Sequence, residues 1–319
     1  MNKRSRFFIF AALFLLLILI IIAPKVYIDG AMQGFDLFLY KVFPSLFPFF
    51  IITRLLTMLG IGNHISKVLS KPLKYAYNSH PIGGYILLLS MISGYPIGAK
   101  LVSEYVKVGI IDVDDAKTII PYTSTSGPMF ILGVIGTQIL GDYKAAVFVL
   151  ISHFLAALIN GVVFRRSTNS GLLIDFNEET TNSSFFNDAI QQSIISIAQV
   201  GANIIIMNVF LIALSKLGII NLIAKGISAF GIEIDFSLGI AYAMFEMTQG
   251  VNLISQSVDK IKDIIVALSV IISFGGVSII MQSMIFLSKI GIKASYFIVT
   301  KISHAIIAYI VASLLVLLY

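Results

Sequence analysis

Between Ile82 and Gly109 an apolar run that should cross a bilayer is interrupted at its centre by Ser93-Gly94-Tyr95-Pro96-Ile97-Gly98. Pro96 lacks an N–H and crowds the carbonyl four residues back, and the two glycines loosen the backbone further. A helix broken at membrane depth frees polar backbone groups that hydrocarbon cannot satisfy, so the break survives only where protein or a polar cavity supplies partners. Breaks of this kind mark the binding sites of many secondary transporters. A proline kink that only shapes packing is the alternative. Lys100, one turn beyond, adds a positive charge to the same place.

The remainder of the chain is equally apolar. Of 319 residues 58% are hydrophobic and 12% charged, too little charge to coat a soluble globule, which makes this a polytopic membrane protein. The net charge of +6 sits at segment ends, where it sets orientation and meets anionic lipid, and implies no nucleic-acid partner. With no cysteine, the chain has no disulfide, thiolate metal site or cysteine nucleophile.

In chain order, Lys3, Arg4 and Arg6 precede an apolar span, Phe7 to Ala23, whose positive end belongs in the cytoplasm. Residues 1–30 form this N-terminal transmembrane unit; Ala23-Pro24-Lys25-Val26 offers no clean cleavage site. The first repeat, residues 31–166, opens with an amphipathic stretch at the outer surface, Gly30 to Tyr40. Val42 to Gly60 crosses back to a basic inner loop with His64, Lys67, Lys71 and Lys74. The broken span from Ile82 then runs outward to an acidic turn, Asp112, Asp114 and Asp115. Thr118 to Leu140 holds Pro121-Tyr122-Thr123-Ser124-Thr125-Ser126-Gly127-Pro128, which predicts a re-entrant hairpin. Ala145 to Phe164 closes the repeat and leaves Arg165 and Arg166 inside.

A polar stretch, residues 167–188, predicts a cytoplasmic linker, with a short surface helix at Ser184 to Gln192. The second repeat, residues 189–319, echoes the first. Ile195 to Leu217 crosses outward, and Leu238 to Val258 crosses back, interrupted at Glu246 to Asn252 and followed by Lys260 and Lys262 inside. Ile264 to Leu287, with Gly275-Gly276 and Gln282, predicts a second hairpin, and Tyr296 to Leu318 the last span. Ile302-Ser303-His304 repeats Ile151-Ser152-His153 at the corresponding place. The expected fold is therefore an all-α polytopic membrane protein of two inverted repeats, each about three transmembrane helices, one of them broken, plus a re-entrant hairpin.

Three motifs carry a family resemblance: Val42-Phe43-Pro44-Ser45-Leu46-Phe47-Pro48-Phe49-Phe50, Ser93-Gly94-Tyr95-Pro96-Ile97-Gly98-Ala99-Lys100-Leu101 and Thr125-Ser126-Gly127-Pro128-Met129-Phe130-Ile131-Leu132-Gly133. Together they resemble the YlbJ, or SpoVV, family of sporulation integral membrane proteins, part of the group with a nucleoside-recognition gate domain. The likeness is specific from about Gly34 through Arg166 and looser beyond. It implies a role in endospore formation, moving dipicolinic acid across the outer forespore membrane, and distant kinship with concentrative nucleoside transporters.

Dipicolinate is a flat aromatic dianion, and its site needs positive potential, N–H donors and a stacking surface. Helix ends at breaks supply oriented N–H groups and partial positive charge. The candidate site comprises Ser93, Gly94, Tyr95, Pro96 and Lys100 at the first break, and Ser124, Thr125, Ser126 and Gly127 at the next. Glu246, Gln249 and Asn252, then Gly275, Gly276 and Gln282, complete it from the second repeat. Lys100 either supplies charge, or snorkels toward the interface or pairs with Glu104; Glu246 is protonated, binds a coupling cation or pairs with Lys100. His153 and His304 invite a proton relay, but a structural hydrogen bond to a neighbouring helix is the favoured reading.

No His-Glu-x-x-His, paired intramembrane aspartates or nucleophile elbow marks an enzyme. No cofactor is expected beyond a coupling ion. The expected partners are the bilayer and a small anionic solute, with a homo-oligomer open. A nucleoside or other small-solute carrier, and a non-transport assembly protein of the forespore membrane, stand as the other readings.

Overall fold

A computed structural model of the chain describes residues 3–59, 61–166, 185–257 and 260–319. Among these residues all regular structure is helical. The linker expected at 167–188 falls mainly outside them, and the short surface helix expected at Ser184 to Gln192 is the first part of a long helix instead.

The first half contains α1 (Lys3–Ile22), α2 (Pro24–Asp36), α3 (Phe43–Met58), α4 (Ile61–Tyr77), α5 (Ile82–Ser93), α6 (Ile97–Lys107), α7 (Val113–Thr123) and α8 (Tyr143–Val163). Two π-helical segments join them, π1 (Leu37–Val42) before α3 and π2 (Met129–Leu140) before α8. The second half contains α9 (Phe185–Lys216), α10 (Ile219–Ser228), α11 (Ile234–Ala243), α12 (Met247–Ser257), α13 (Ile261–Phe274), α14 (Gly276–Leu287) and α15 (Ala294–Leu315). Four stretches are long and apolar enough to cross a membrane, five when α1 is joined to the helix that follows it at a bend of 108°. The protein is a polytopic integral membrane protein. Its exterior carries exposed Phe, Ile and Leu, whereas Ser, Thr, Asn, His and Lys of the apolar helices turn inward, as intramembrane polar groups must.

The amphipathic stretch Gly30 to Tyr40 packs one face, Gly30 and Gly34, against α9 and leaves Met32, Phe35 and Tyr40 exposed. Helical geometry continues from Asp36 through π1 into α3, and this line packs antiparallel to α9. The small residues explain it: Gly34 lets the Asn208 side chain approach, and Asn208 Nδ2 donates to the Gly30 carbonyl at 2.9 Å.

Three breaks stand where the sequence places them; the interruption expected at Glu246 to Asn252 falls earlier, at Met244 to Glu246, since α12 already begins at Met247, and hairpin and crossing are exchanged within each half. Helices α5 and α6 fold back on each other, Gly98 lying against Ser90. Helix α11 returns as α12, with Gly239 facing Ile254 and Gly250 facing Ala243. Segment α7–π2 instead lies end to end along α8, Tyr122 against Gly161 and Gly136 against Ala146, the register of one antiparallel crossing. Likewise α13 and α14 form one broken span, Ile261–Ile290. Each half thus pairs one hairpin, α5–α6 or α11–α12, with one broken segment, α7–π2 or α13–α14.

The exchange moves two loops. The acidic turn is a helix start: Asp112 Oδ1 accepts the Asp115 N–H at 2.7 Å in a reciprocal capping box. It sits at the Arg166 end of the molecule, not opposite, since Tyr296 donates to the Lys117 carbonyl at 2.6 Å and the Arg166 guanidinium lies 5.3 Å from the Tyr296 ring. At the other end, Tyr319 Oη donates to Asp142 at 2.6 Å, and Lys260 and Lys262 share a groove with Ser313 and Val316. Those two lysines therefore lie away from Arg166 rather than beside it, and the two hairpins enter from opposite ends.

Candidate functional site

Four interruptions meet at the centre: the hairpin turn after Ser93, the break between Thr123 and Met129, the hairpin turn after Ala243, and the break at Gly275. Backbone packs directly on backbone there. Gly94 has φ +78°, and a Cβ on it would stand 2.5 Å from the Gly127 nitrogen, so only glycine fits. Gly276, at φ +75°, lies against the Ala243 and Phe245 carbonyls in the same way.

The backbone groups freed by the breaks have partners on other helices. Val277 N–H donates to the Met244 carbonyl at 2.9 Å and Ser278 N–H to that of Phe245 at 2.9 Å, joining α14 to the second hairpin turn. His153 of α8 accepts the Ser126 N–H at Nε2, 2.9 Å away, while its Nδ1 lies 2.8 Å from Ser273 Oγ. One imidazole thus ties both helix breaks together. Asn160 donates to the Pro121 and Thr300 carbonyls at 3.0 and 3.2 Å. His304 Nε2 donates to the His153 carbonyl at 3.1 Å. The structural hydrogen bonds favoured for the two histidines are present.

The centre encloses a cavity of about 60 Å³. Of the residues picked out in the sequence, Ser93, Gly94, Tyr95, Ser126, Gly127, Glu246 and Gln282 line it, joined by Thr248 and Ser278. Phe50 of α3, Val200 of α9, Tyr95 and Gln282 line both this cavity and a second of about 300 Å³, which is lined further by Pro96, Lys100, Gln192, Gln199 and Asn203. A third, of about 70 Å³, brings in Arg54 and Glu104.

The other picks are displaced. Lys100 lies in the outer cavities, 4.0 Å from Glu104, because one turn of α6 carries it away from the tip. Ser124 turns its carbonyl to Lys301, and Thr125, Gly275 and Gly276 support the breaks without lining the cavity. Asn252 Oδ1 accepts from Lys41 at 3.3 Å on the far side of α12. Gln249 acts through its backbone: its N–H donates to Glu246 Oε2 at 2.8 Å, so Glu246 caps α12 rather than pairing with Lys100.

Sequence reading missed Lys301, Asn160 and Ser273. For Lys301 the signal was there: it is the single charge within the apolar run of α15 after its first residues, and an intramembrane charge is a functional candidate by default. Its Nζ donates to Tyr95 Oη at 2.7 Å and to the Ser124 carbonyl at 3.2 Å, and lies 4.4 Å from the centre of the Tyr95 ring.

No family profile and no solved structure matches the chain. It is 25% identical, over 96% of its length and 81% of the relative's, to the sporulation integral membrane protein YlbJ of Bacillus subtilis (strain 168).

Proposed function

We propose, from the premise that this chain belongs to the YlbJ family of sporulation integral membrane proteins, that it carries a small solute across a membrane during sporulation. The observation behind this reading is the convergence of two hairpin turns and two helix breaks on one cavity that is lined by apolar side chains and a small set of polar ones. Packed protein has no need of four interruptions at one level, whereas a binding site uses the freed backbone groups and small residues directly.

Dipicolinate crossing the outer forespore membrane is the cargo we favour. Arg54 and Lys100 line the outer cavities and favour entry of an anion; Arg54 Nε is buried there without a hydrogen-bond partner. Tyr95 offers an aromatic face between outer and inner cavities, and Ser93, Ser126, Ser278 and Gln282 offer hydrogen bonds. The entry of the hairpins from opposite ends supports an inverted-repeat, alternating-access mechanism, in which Phe50 and Val200 part to join the cavities.

A nucleoside is the second reading. The polar side chains among the largely apolar lining of the inner cavity are uncharged apart from one carboxyl group, Glu246, a set suited to a neutral, hydrogen-bonding solute. Uptake of labelled dipicolinate and labelled nucleoside into liposomes carrying the purified protein separates the two. Entry of dipicolinate that Lys100→Ala slows supports the first; entry of nucleoside alone supports the second; entry of neither by folded protein removes the carrier reading and leaves the assembly role.

A further inference from the structure

Lys301 is 1% exposed and lies about 10 Å into α15 at 1.5 Å per residue. Its amine holds three segments that end inside the molecule: Tyr95 from the first hairpin turn, the Ser124 carbonyl from the break after α7, and, through Tyr95 Oη, the Ile272 carbonyl at 3.0 Å near the end of α13. Among the described residues no carboxylate lies within ion-pair distance of it.

The titratable groups facing Lys301 are Tyr95 from the hairpin, His153 from α8 and His304 from its own helix. Tyr122 of α7 turns its hydroxyl to Ser79, 2.6 Å away. The remaining charges of the packed helices, Asp114, Asp115 and Lys117, Lys144, and Lys262 and Asp263, lie in the first turns of α7, α8 and α13.

An ammonium has three donors and no acceptor, while a neutral amine has two N–H groups and a lone pair. Two acceptors are in place, Tyr95 Oη and the Ser124 carbonyl, which match the two N–H groups of a neutral amine and leave an ammonium one acceptor short. His304 supplies the complementary vacancy. Its Nε2–H goes to the His153 carbonyl, and its Nδ1 is buried with no partner, three residues along the same helix face as Lys301. A charge without a counter-ion at this depth costs several kcal/mol unless water or a further acceptor reaches it.

We propose that Lys301, with Tyr95 and His304, is the binding site of the coupling ion, and that this ion is a proton. In the arrangement described the amine is neutral and holds the first hairpin turn against α15. Protonation, R–NH2 + H3O+ → R–NH3+ + H2O, draws in water and the His304 Nδ1 lone pair, releases Tyr95 and lets the turn swing away. Proton binding is thereby linked to exposure of the inner cavity. The inference rests on the transport reading for its purpose, but its test does not.

Because the chain has no cysteine, Ile97→Cys in the first hairpin gives one thiol to follow. Its alkylation by a maleimide, in full-length protein in liposomes, is measured against free cysteine at each pH. The relative rate rises roughly fivefold from about pH 8 to about pH 6, within the tenfold-per-unit ceiling of one bound proton. In Lys301→Met it is flat, and in Lys301→Arg, always charged, it is high throughout. A flat rate in the parent, or an unchanged pH dependence in both Lys301 variants, overturns the proposal. If Lys301→Met does not fold, Lys301→Arg and His304→Gln decide it, the latter by weakening the pH dependence. Dipicolinate uptake without this dependence rejects the proton site; the dependence without uptake rejects the cargo.

Discussion

His153 and His304 stack with ring centres 4.9 Å apart where α8 and α15 cross, and each has its tautomer set by a backbone partner. Nε2 of His153 accepts an N–H, so its Nδ1 carries the proton toward Ser273; Nε2 of His304 meets a carbonyl, so it carries the proton itself. Two residues at corresponding places in the two halves therefore do different work. His153 binds both helix breaks, and His304 leaves one nitrogen free.

His153→Ala strands the Ser126 N–H and opens a cavity, and costs about 2–4 kcal/mol. His304→Ala removes one bond and costs less. Unfolding of both in mild detergent ranks them; equal losses would contradict the bridging role.

Gly94→Ala places a methyl on the Gly127 backbone at a positive φ, where neither side can yield, and destabilises by about 2–4 kcal/mol. Gly226→Ala is the contrast. It lies within α10 with open space beyond its Cα, and stabilises by about 0.5–1 kcal/mol. Melting temperatures in detergent should move in opposite directions.

Tyr95→Phe keeps the aromatic face and removes the acceptor for Lys301. The hairpin turn loses about 1–3 kcal/mol of anchoring. Solute uptake should fall with this variant, and protease sensitivity at the turn should rise.

Glu246→Gln keeps an oxygen to accept the Gln249 N–H and removes the ionisable carboxyl from the cavity. For a dianionic cargo the apparent KM falls roughly tenfold, equivalent to about 1.4 kcal/mol. For a nucleoside it is unchanged.

At the end opposite Arg166, the Tyr319 hydroxyl and the Ala145 N–H hold the Asp142 carboxyl below its ordinary range, while that hydrogen bond pushes the Tyr319 hydroxyl up to about 12. A carboxyl held low in the fold adds stability above its unfolded value, and loses it as pH falls through the folded one. The advantage of the parent over Tyr319→Phe should thus be full near neutrality and vanish in acid below the usual carboxylate range. Paired denaturation series across pH measure it.

The class and three of the four interruptions, though not the turn at Met244 to Glu246, which carries neither Gly nor Pro, were legible because they rest on local chemistry, apolar length and Gly or Pro placement. Hairpin and crossing were not. Hydropathy says that a segment is apolar, but whether α6 returns along α5 or runs on depends on which helix it finds. Tyr122 on Gly161 and Gly136 on Ala146 settle that for α7–π2, and such contacts leave no periodic trace. Lys100 was chosen for its nearness in sequence to the break, while the amine that reaches the break comes from Lys301, 177 residues after Ser124.

That separation also bears on how the protein is made. When the ribosome has finished the first half, the Ser124 carbonyl and the first hairpin turn still lack their amine partner. At about 5–20 residues per second, synthesis of Lys301 follows that of Ser124 by some 9–35 seconds. Until then the half-built site is a set of unmatched polar groups in the lipid or in the insertion machinery. A helix inserted this late locks the first break, so a nascent chain short of α15 presents quality-control proteases with an open centre.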